Sequence, residues 1–362
     1  MFSLLFFIVL FLGVVTTQPR VKGYLVRLLG KVHRGARPRR IKSLPSSKLK
    51  EWERAQRSTH DVPEILEDGL NIPNVVHMIF GLDPNFGHIK FGLTHYLAIM
   101  AARMHIGPQF IKWHYRYVPE GIWWECARPL LKMNRVEDIT HVHGKPRPMK
   151  VQHKADILRM RIMMEEGGIY LDSDVIALKS FRELRNFSLV MGQEDSNGLC
   201  NAVMLGRANT TFIQRWWNEY KHFDPEKQWA YHSVMLPKQL QSQYPDEVTV
   251  LSQSAFFTPL WTQLTVMYDK DDGYDYRHNF AVHLWTSADP NKRELLRHLS
   301  IPQIFSGKGS FQRVARQLLV DAHRKNQLCP YAAEQVKYLM MGGSNSTLIT
   351  DDWEVKKDWK LD

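Results

Sequence analysis

The chain has 362 residues, 44% of them hydrophobic, which is enough to bury a sizeable core in one large domain or two modest ones. Its formal net charge of +11 would suit a nucleic-acid binder, but residues 18–57 hold thirteen Lys or Arg against two acids, and the remainder carries 35 of each sign. A neutral main body argues against nucleic acid as the partner of the folded domain and leaves the basic character to an N-terminal segment.

In chain order, MFSLLFFIVLFLGVV is an uninterrupted apolar run, shorter than the ~20 residues of a comfortable span. We expect residues 1–17 to be a signal peptide, with Val15 and Thr17 before the cut, or a short signal anchor. Positive charge follows the run, so charge does not favour an anchor with its N-terminus in the cytoplasm. Either form sends the chain into the secretory pathway, and two further signals agree. Asn186, Asn209 and Asn345 each begin an Asn-x-Ser/Thr triplet, an acceptor for N-linked glycan. Cys126, Cys200 and Cys329 allow one disulfide and leave one thiol, with the pairing open and no zinc-like spacing.

Residues 18–60 read as a basic stem, partly helical around 46–57. Residues 61–325 read as the globular domain and 326–362 as a C-terminal tail. The domain opens with a buried strand over 75–80, after Pro73 and closed by Gly81. A helix follows over 93–105, ending before Gly107, and then an alternating strand over 110–118. This early alternation predicts an α/β class with an open sheet. His141 and His143 lie in a Pro-broken loop with no third ligand nearby, so we expect a solvated turn.

The most informative stretch is a helix over 151–166, a stop at Gly167-Gly168, a three-residue buried strand over 169–171, and then Asp172-Ser-Asp174. In extended backbone residues two apart face the same way, so both carboxylates converge beyond a strand's carboxyl end, where open α/β sheets bind ligands. Two such oxygens suit a divalent cation, Mg²⁺ or Mn²⁺, that neutralises a diphosphate leaving group. Asp269-Lys-Asp271 repeats the spacing inside a turn-rich segment, where we expect a solvated loop. Asp156 and Arg159, three apart, share one face of the preceding helix. RWWNEY, 215–220, is expected to be helix packing.

KADILRMRIMMEEGGIYLDSDVIALKSF resembles the signature segment of glycosyltransferase family 32, and the likeness runs from IPNVVHMIFG (72–81) through NAVMLG (201–206) to FAVHLWTS (280–287). The resemblance implies a GT-A fold in a single catalytic domain. It also implies retaining transfer of a hexose or N-acetylhexosamine from a UDP- or GDP-sugar to a glycan or glycolipid, with Mn²⁺ ahead of Mg²⁺. On that basis Asp172, Asp174 and His283 hold the metal, and Asp156, Arg159 and Tyr170 lie at the donor. Trp285 closes over the diphosphate, and Phe80, where relatives often have Trp, stacks on the base. Glu194, Asp195 and Asn201 are candidates for a donor or acceptor contact, against the plainer reading of a polar turn. The expected location is the secretory lumen: a single-pass Golgi membrane protein, or a secreted one if the N-terminus is cleaved. The rival expectation is a relative that binds sugar nucleotide or glycan without turnover.

Overall fold

The computed structural model describes residues 46–57, 68–86, 90–147, 149–227, 230–271 and 273–343. The apolar run 1–17, the stem up to residue 45 and Asn345 lie outside the described residues. The described residues all belong to one compact unit. No helix among the described residues is long and apolar enough to cross a membrane.

The described chain begins with α1 (Ser46–Arg57), where the basic stem was expected to turn helical. Its Trp52 packs on the core, Gln56 accepts from Arg103 at 2.8 Å and Glu53 faces Arg128 at 3.6 Å, so this part of the stem is seated on the domain. Strand β1 (Val75–Ile79) is buried at every position, as a central parallel strand must be. Helix α2 (Leu93–Ala101) runs on through a π-helical turn to Gly107, whose φ of 61° ends it. Strand β2 (Phe110–Tyr115), α3 (Ile122–Ala127) and β3 (Leu131–Arg135) complete the first half. The hairpin β4 (His141–Val142) and β5 (Lys145–Pro146) holds the two loop histidines, and His143 stacks on Trp217 and bonds its carbonyl rather than converging with His141 on an ion.

Helix α4 (Val151–Glu165) leads to β6 (Gly168–Leu171) through the double glycine. Gly167 and Gly168 have φ of 65° and 97°, and a Cβ on them would come within 2.5 Å of Ala208 N and 2.8 Å of Val75 O. Both positions need a left-handed backbone and close approach, which only glycine supplies without strain. The Gly167 N–H returns to Ile162 O at 3.1 Å, closing the helix. The turn is also pinned from below. Asn134 donates to His114 (2.9 Å), His114 meets His77 (3.0 Å), and His77 bonds the Gly167 backbone through its other nitrogen. Burial lowers the His77 pKa to about 4, so the pair sits there neutral.

Next come β7 (Val175–Ala177), β8 (Leu189–Asp195), β9 (Gly198–Gly206), α5 (Thr211–Glu219), α6 (Leu236–Gln243), β10 (Thr249–Leu251) and α7 (Leu264–Tyr268). In α5 and the turn after it Trp216 and Tyr220 are fully buried, which confirms packing rather than an open platform. The chain closes with β11 (Ala281–His283), α8 (Pro290–Arg297), α9 (Ile301–Ser306), α10 (Ser310–Arg324) and α11 (Pro330–Met340). Helix α11 falls in the segment expected as a tail. Ala332 and Val336 are buried, and a Cys126–Cys329 disulfide joins its start to α3, so the packed body extends past residue 325.

The main sheet has the order β10-β8-β9-β6-β1-β2-β3. β3, β2, β1 and β6 run parallel, β9 is antiparallel to both β6 and β8, and one hydrophobic core lies on each face. This is the expected open α/β sheet. From β1 the chain steps one way to β2 and later the other way to β6, so the crevice beyond the carboxyl ends of β1 and β6 is the topological switch point. Asp172 follows β6 directly. A separate two-stranded ribbon pairs β11 antiparallel with β7, setting His283 opposite Val175 and hence beside Asp174.

Candidate active site

Three side chains meet at this crevice. One ligand atom each from Asp172, Asp174 and His283 lies within 4.8 Å of the others. Asp172 leaves the sheet with its N–H bonded to Ala202 O at 2.9 Å and its carbonyl accepting from Val175 at 3.0 Å, so a tight turn separates the two aspartates. Two carboxylates and an imidazole form a donor set suited to a divalent cation.

Asp174 is the more firmly held. Its Oδ2 accepts from the Thr286 N–H (3.1 Å) and hydroxyl (2.8 Å), and its Oδ1 lies 3.2 Å from His283 Nε2. Its backbone carbonyl also takes the Leu284 N–H at 3.0 Å. Burial alone would raise this carboxyl, but the imidazole and the Thr286 donors outweigh it and hold the group well below the usual carboxylate range. Burial would likewise lower His283, and Asp174 reverses that. The site therefore favours a charged Asp174. The His283 Nδ1 is buried with no hydrogen-bond partner among the described residues.

Wrapping residues 283–286 around Asp174 requires an unusual backbone. Trp285 has φ of 53°, rare for a bulky residue. It is fixed by its indole N–H donating to Pro259 O (3.0 Å) and by a tilted contact with the His283 ring at a centroid separation of 4.1 Å. Thr286 escaped the sequence reading, although it adjoins the HLW segment.

Beneath Asp172 lies a buried network. Tyr170 Oη donates to Asp172 Oδ1 at 2.7 Å, and Arg159 Nη1 lies 3.1 Å from the same oxygen. Arg159 also donates to the Asn201 carbonyl and side-chain oxygen, each at 2.8 Å, and its guanidinium sits over the Tyr170 ring. Asn201 in turn donates to Asp156 Oδ1 at 2.9 Å, while Arg159 and Asp156 are 3.5 Å apart. Burial pushes the Asp156 carboxyl up to about 6, against Arg159 and Asn201. Asp156, Arg159, Tyr170 and Asn201 are thus brought together in one bonded network that supports Asp172.

The other sequence candidates divide. Glu194 is half-buried near His283 and lies against the Cys200 thiol and the Trp261 side chain. Asp195 instead accepts the Asn197 N–H at 2.7 Å, as a turn residue does. Phe80 is 9% exposed, with rings of Phe86, Phe91, His95 and Trp113 around it, so the structure places it in the core rather than as an open face. Asn186 and Asn209 are both exposed.

The pattern of the family described as "glycosyltransferase sugar-binding region containing DXD motif" matches residues 128–191, which include both aspartates. Glucan organizing enzyme 1 of Cryptococcus neoformans var. grubii is 34% identical over 282 residues, covering 71% of this chain and 74% of that protein. The chain belongs to this glycosyltransferase family. A lactosylceramide 4-alpha-galactosyltransferase from Pongo pygmaeus is 22% identical over 213 residues, covering 55% of this chain and 88% of its own. Among solved structures, the glycosyltransferase GlyE of Streptococcus pneumoniae TIGR4 overlaps with a TM-score of 0.41 at 11% identity, covering 77% of this chain and 65% of its own. The galactosyltransferase LgtC overlaps at 0.32 and 14% identity, covering 62% and 96%. The family assignment rests on the sequence relatives, and the structure has the open α/β sheet with flanking helices that the sequence led us to expect.

Proposed function

We propose that this transferase moves a hexose or N-acetylhexosamine from a UDP- or GDP-sugar to a glycan or glycolipid with retention at the anomeric carbon, in a reaction that needs a divalent cation, Mn²⁺ first. The observation that carries the proposal is the convergence of Asp172, Asp174 and His283 at the switch point of the sheet. The Pongo relative, a lactosylceramide 4-alpha-galactosyltransferase by name, supports the acceptor class.

A bound cation would neutralise the diphosphate and stabilise it as a leaving group. The protein's own part is to fix the ligands. Thr286 and the Leu284 N–H orient Asp174, while Tyr170 and Arg159 orient Asp172. Asp156 and Asn201 hold Arg159, so we assign these two and Arg159 as positioning residues rather than direct sugar contacts. In the transfer itself the bond between the anomeric carbon and the diphosphate oxygen breaks with its electron pair going to phosphate. A bond to the acceptor oxygen forms, and the acceptor's proton ends on a phosphate oxygen. The Cys126–Cys329 disulfide, formed in oxidising compartments, supports a place in the secretory lumen, with the Golgi as the site where glycans are extended.

The test is nucleotide release by the full chain from a panel of UDP- and GDP-sugars with Mn²⁺, repeated in EDTA, followed by the anomeric configuration of the product. Release from one donor that EDTA abolishes, with the donor's configuration kept, is the expected result. Metal-dependent nucleotide binding with no release in the presence of any glycan or glycolipid would make the protein a non-catalytic relative.

A further inference from the structure

The segment 256–261 borders the metal-binding triad and then turns outward. Phe256 O accepts the His283 N–H at 3.1 Å, Phe257 packs on Trp285 at a ring separation of 5.9 Å, and Pro259 O holds the Trp285 indole. Two residues later Trp261 stands 47% exposed, against full or near-full burial for Trp113, Trp124 and Trp216. Its turn is not loose, because Leu260 N–H donates to Gln263 Oε1 at 2.8 Å. The indole N–H of Trp261 bonds the carboxylate of Glu194, a half-buried residue that also bonds the Cys200 thiol. The protein therefore holds a large aromatic face open to solvent, fixes it on an anchored turn and sets a carboxylate beside it. An indole offers an apolar surface with a negative π-face, and a carboxylate accepts hydroxyl hydrogen bonds.

We propose that Trp261 and Glu194 form the acceptor subsite: the indole stacks on the C–H face of a pyranose residue of the acceptor glycan, and Glu194 receives one of its hydroxyls. This rests on the transferase reading above and adds where the second sugar sits. Stacking of this kind recognises a ring face rather than one substituent, so Trp261 supplies affinity and Glu194 orients the acceptor hydroxyl toward the site.

The experiment is saturation-transfer NMR on the full chain with methyl β-galactoside, methyl β-glucoside and methyl α-mannoside, each with and without UDP and Mn²⁺. We expect at least one glycoside to receive saturation, strongest on the protons of one ring face. Its dissociation constant should rise by roughly tenfold in Trp261→Ala, the loss typical of an aromatic anchor, and by less than about threefold in Trp261→Phe, which keeps a stacking face. A dissociation constant unmoved by Trp261→Ala, equal losses in both variants, or no binding by the wild-type chain in either condition would overturn the proposal. Because glycoside binding is read without turnover, intact nucleotide release alongside any of those results sinks only the subsite. Absent release with the expected binding sinks only the transferase reading.

Discussion

The chain contains the tripeptide Asp-x-Asp twice, and the two copies have opposite surroundings. Asp172 and Asp174 leave a buried strand and converge with His283. Asp269 and Asp271 follow the short helix α7, and each is taken by a cation from a later helix. Lys292 Nζ reaches Asp269 at 2.5 and 2.6 Å, and Arg313 Nε pairs with Asp271, whose other oxygen caps the Gly273 N–H at 2.9 Å. The second pair is thus more than the solvated loop that its sequence suggests, because it ties the loop to α8 and α10. The difference lies in convergence: Asp172 and Asp174 meet a third donor, His283, whereas Asp269 and Asp271 are each drawn to a separate helix by Lys292 and Arg313. Spacing alone does not distinguish the two.

Four substitutions probe this contrast, from the largest effect down. Asp174→Asn should reduce transfer by on the order of 10³-fold or more. It should also cost roughly 1–2 kcal/mol of stability, since a buried acceptor of the Thr286 donors is weakened. Steady-state kinetics and chemical denaturation measure the two separately. His283→Ala should weaken Mn²⁺ binding by about 10²-fold in calorimetry while the protein stays folded. Unchanged affinity would remove His283 from the donor set. Thr286→Val keeps the backbone N–H but deletes the hydroxyl, and should cost about tenfold in metal affinity, the size seen for residues that support a ligand. Asp271→Asn should leave turnover within about twofold and lower stability by about 1 kcal/mol or less, as expected for a largely solvent-screened pair, with the loss shrinking in high salt. If Asp271→Asn impaired transfer as deeply as Asp174→Asn, the contrast between the two pairs would collapse.

Much of this contrast could be anticipated from the chain because it is local. The helix 151–165, its glycine stop, the short strand and the aspartates are set by neighbours within a few residues, and the structure reproduces them nearly residue for residue. What the sequence hid was long-range. Nothing near Thr286 announces that its hydroxyl lies 2.8 Å from Asp174, because that contact depends on β11 pairing with β7. Three cysteines look alike on paper, and only the packing of α11 against α3 selects Cys126 and Cys329 and leaves Cys200 buried and free. Phe80 was misplaced for a related reason. A strand-end aromatic can face the crevice or the core, and the rings around it decide for the core. Asp156 and Arg159 were correctly grouped on one helix face. That they act on each other and on Asp172 became visible only with Asn201 between them.

The left-handed backbone at Trp285 has a consequence for how the site tolerates change. Glycine would adopt φ of 53° with less strain, yet it would remove the indole that Pro259 and His283 hold in place. Position 285 thus acts as a sprung latch: the large ring keeps the backbone bent, and the bend delivers Thr286 to Asp174. Releasing the ring would let residues 284–286 relax toward an extended course and carry the Thr286 donors away. On the proposed function, a variant that gains stability here by relaxing the backbone should lose metal affinity through Asp174, so stability and site geometry pull in opposite directions at this position.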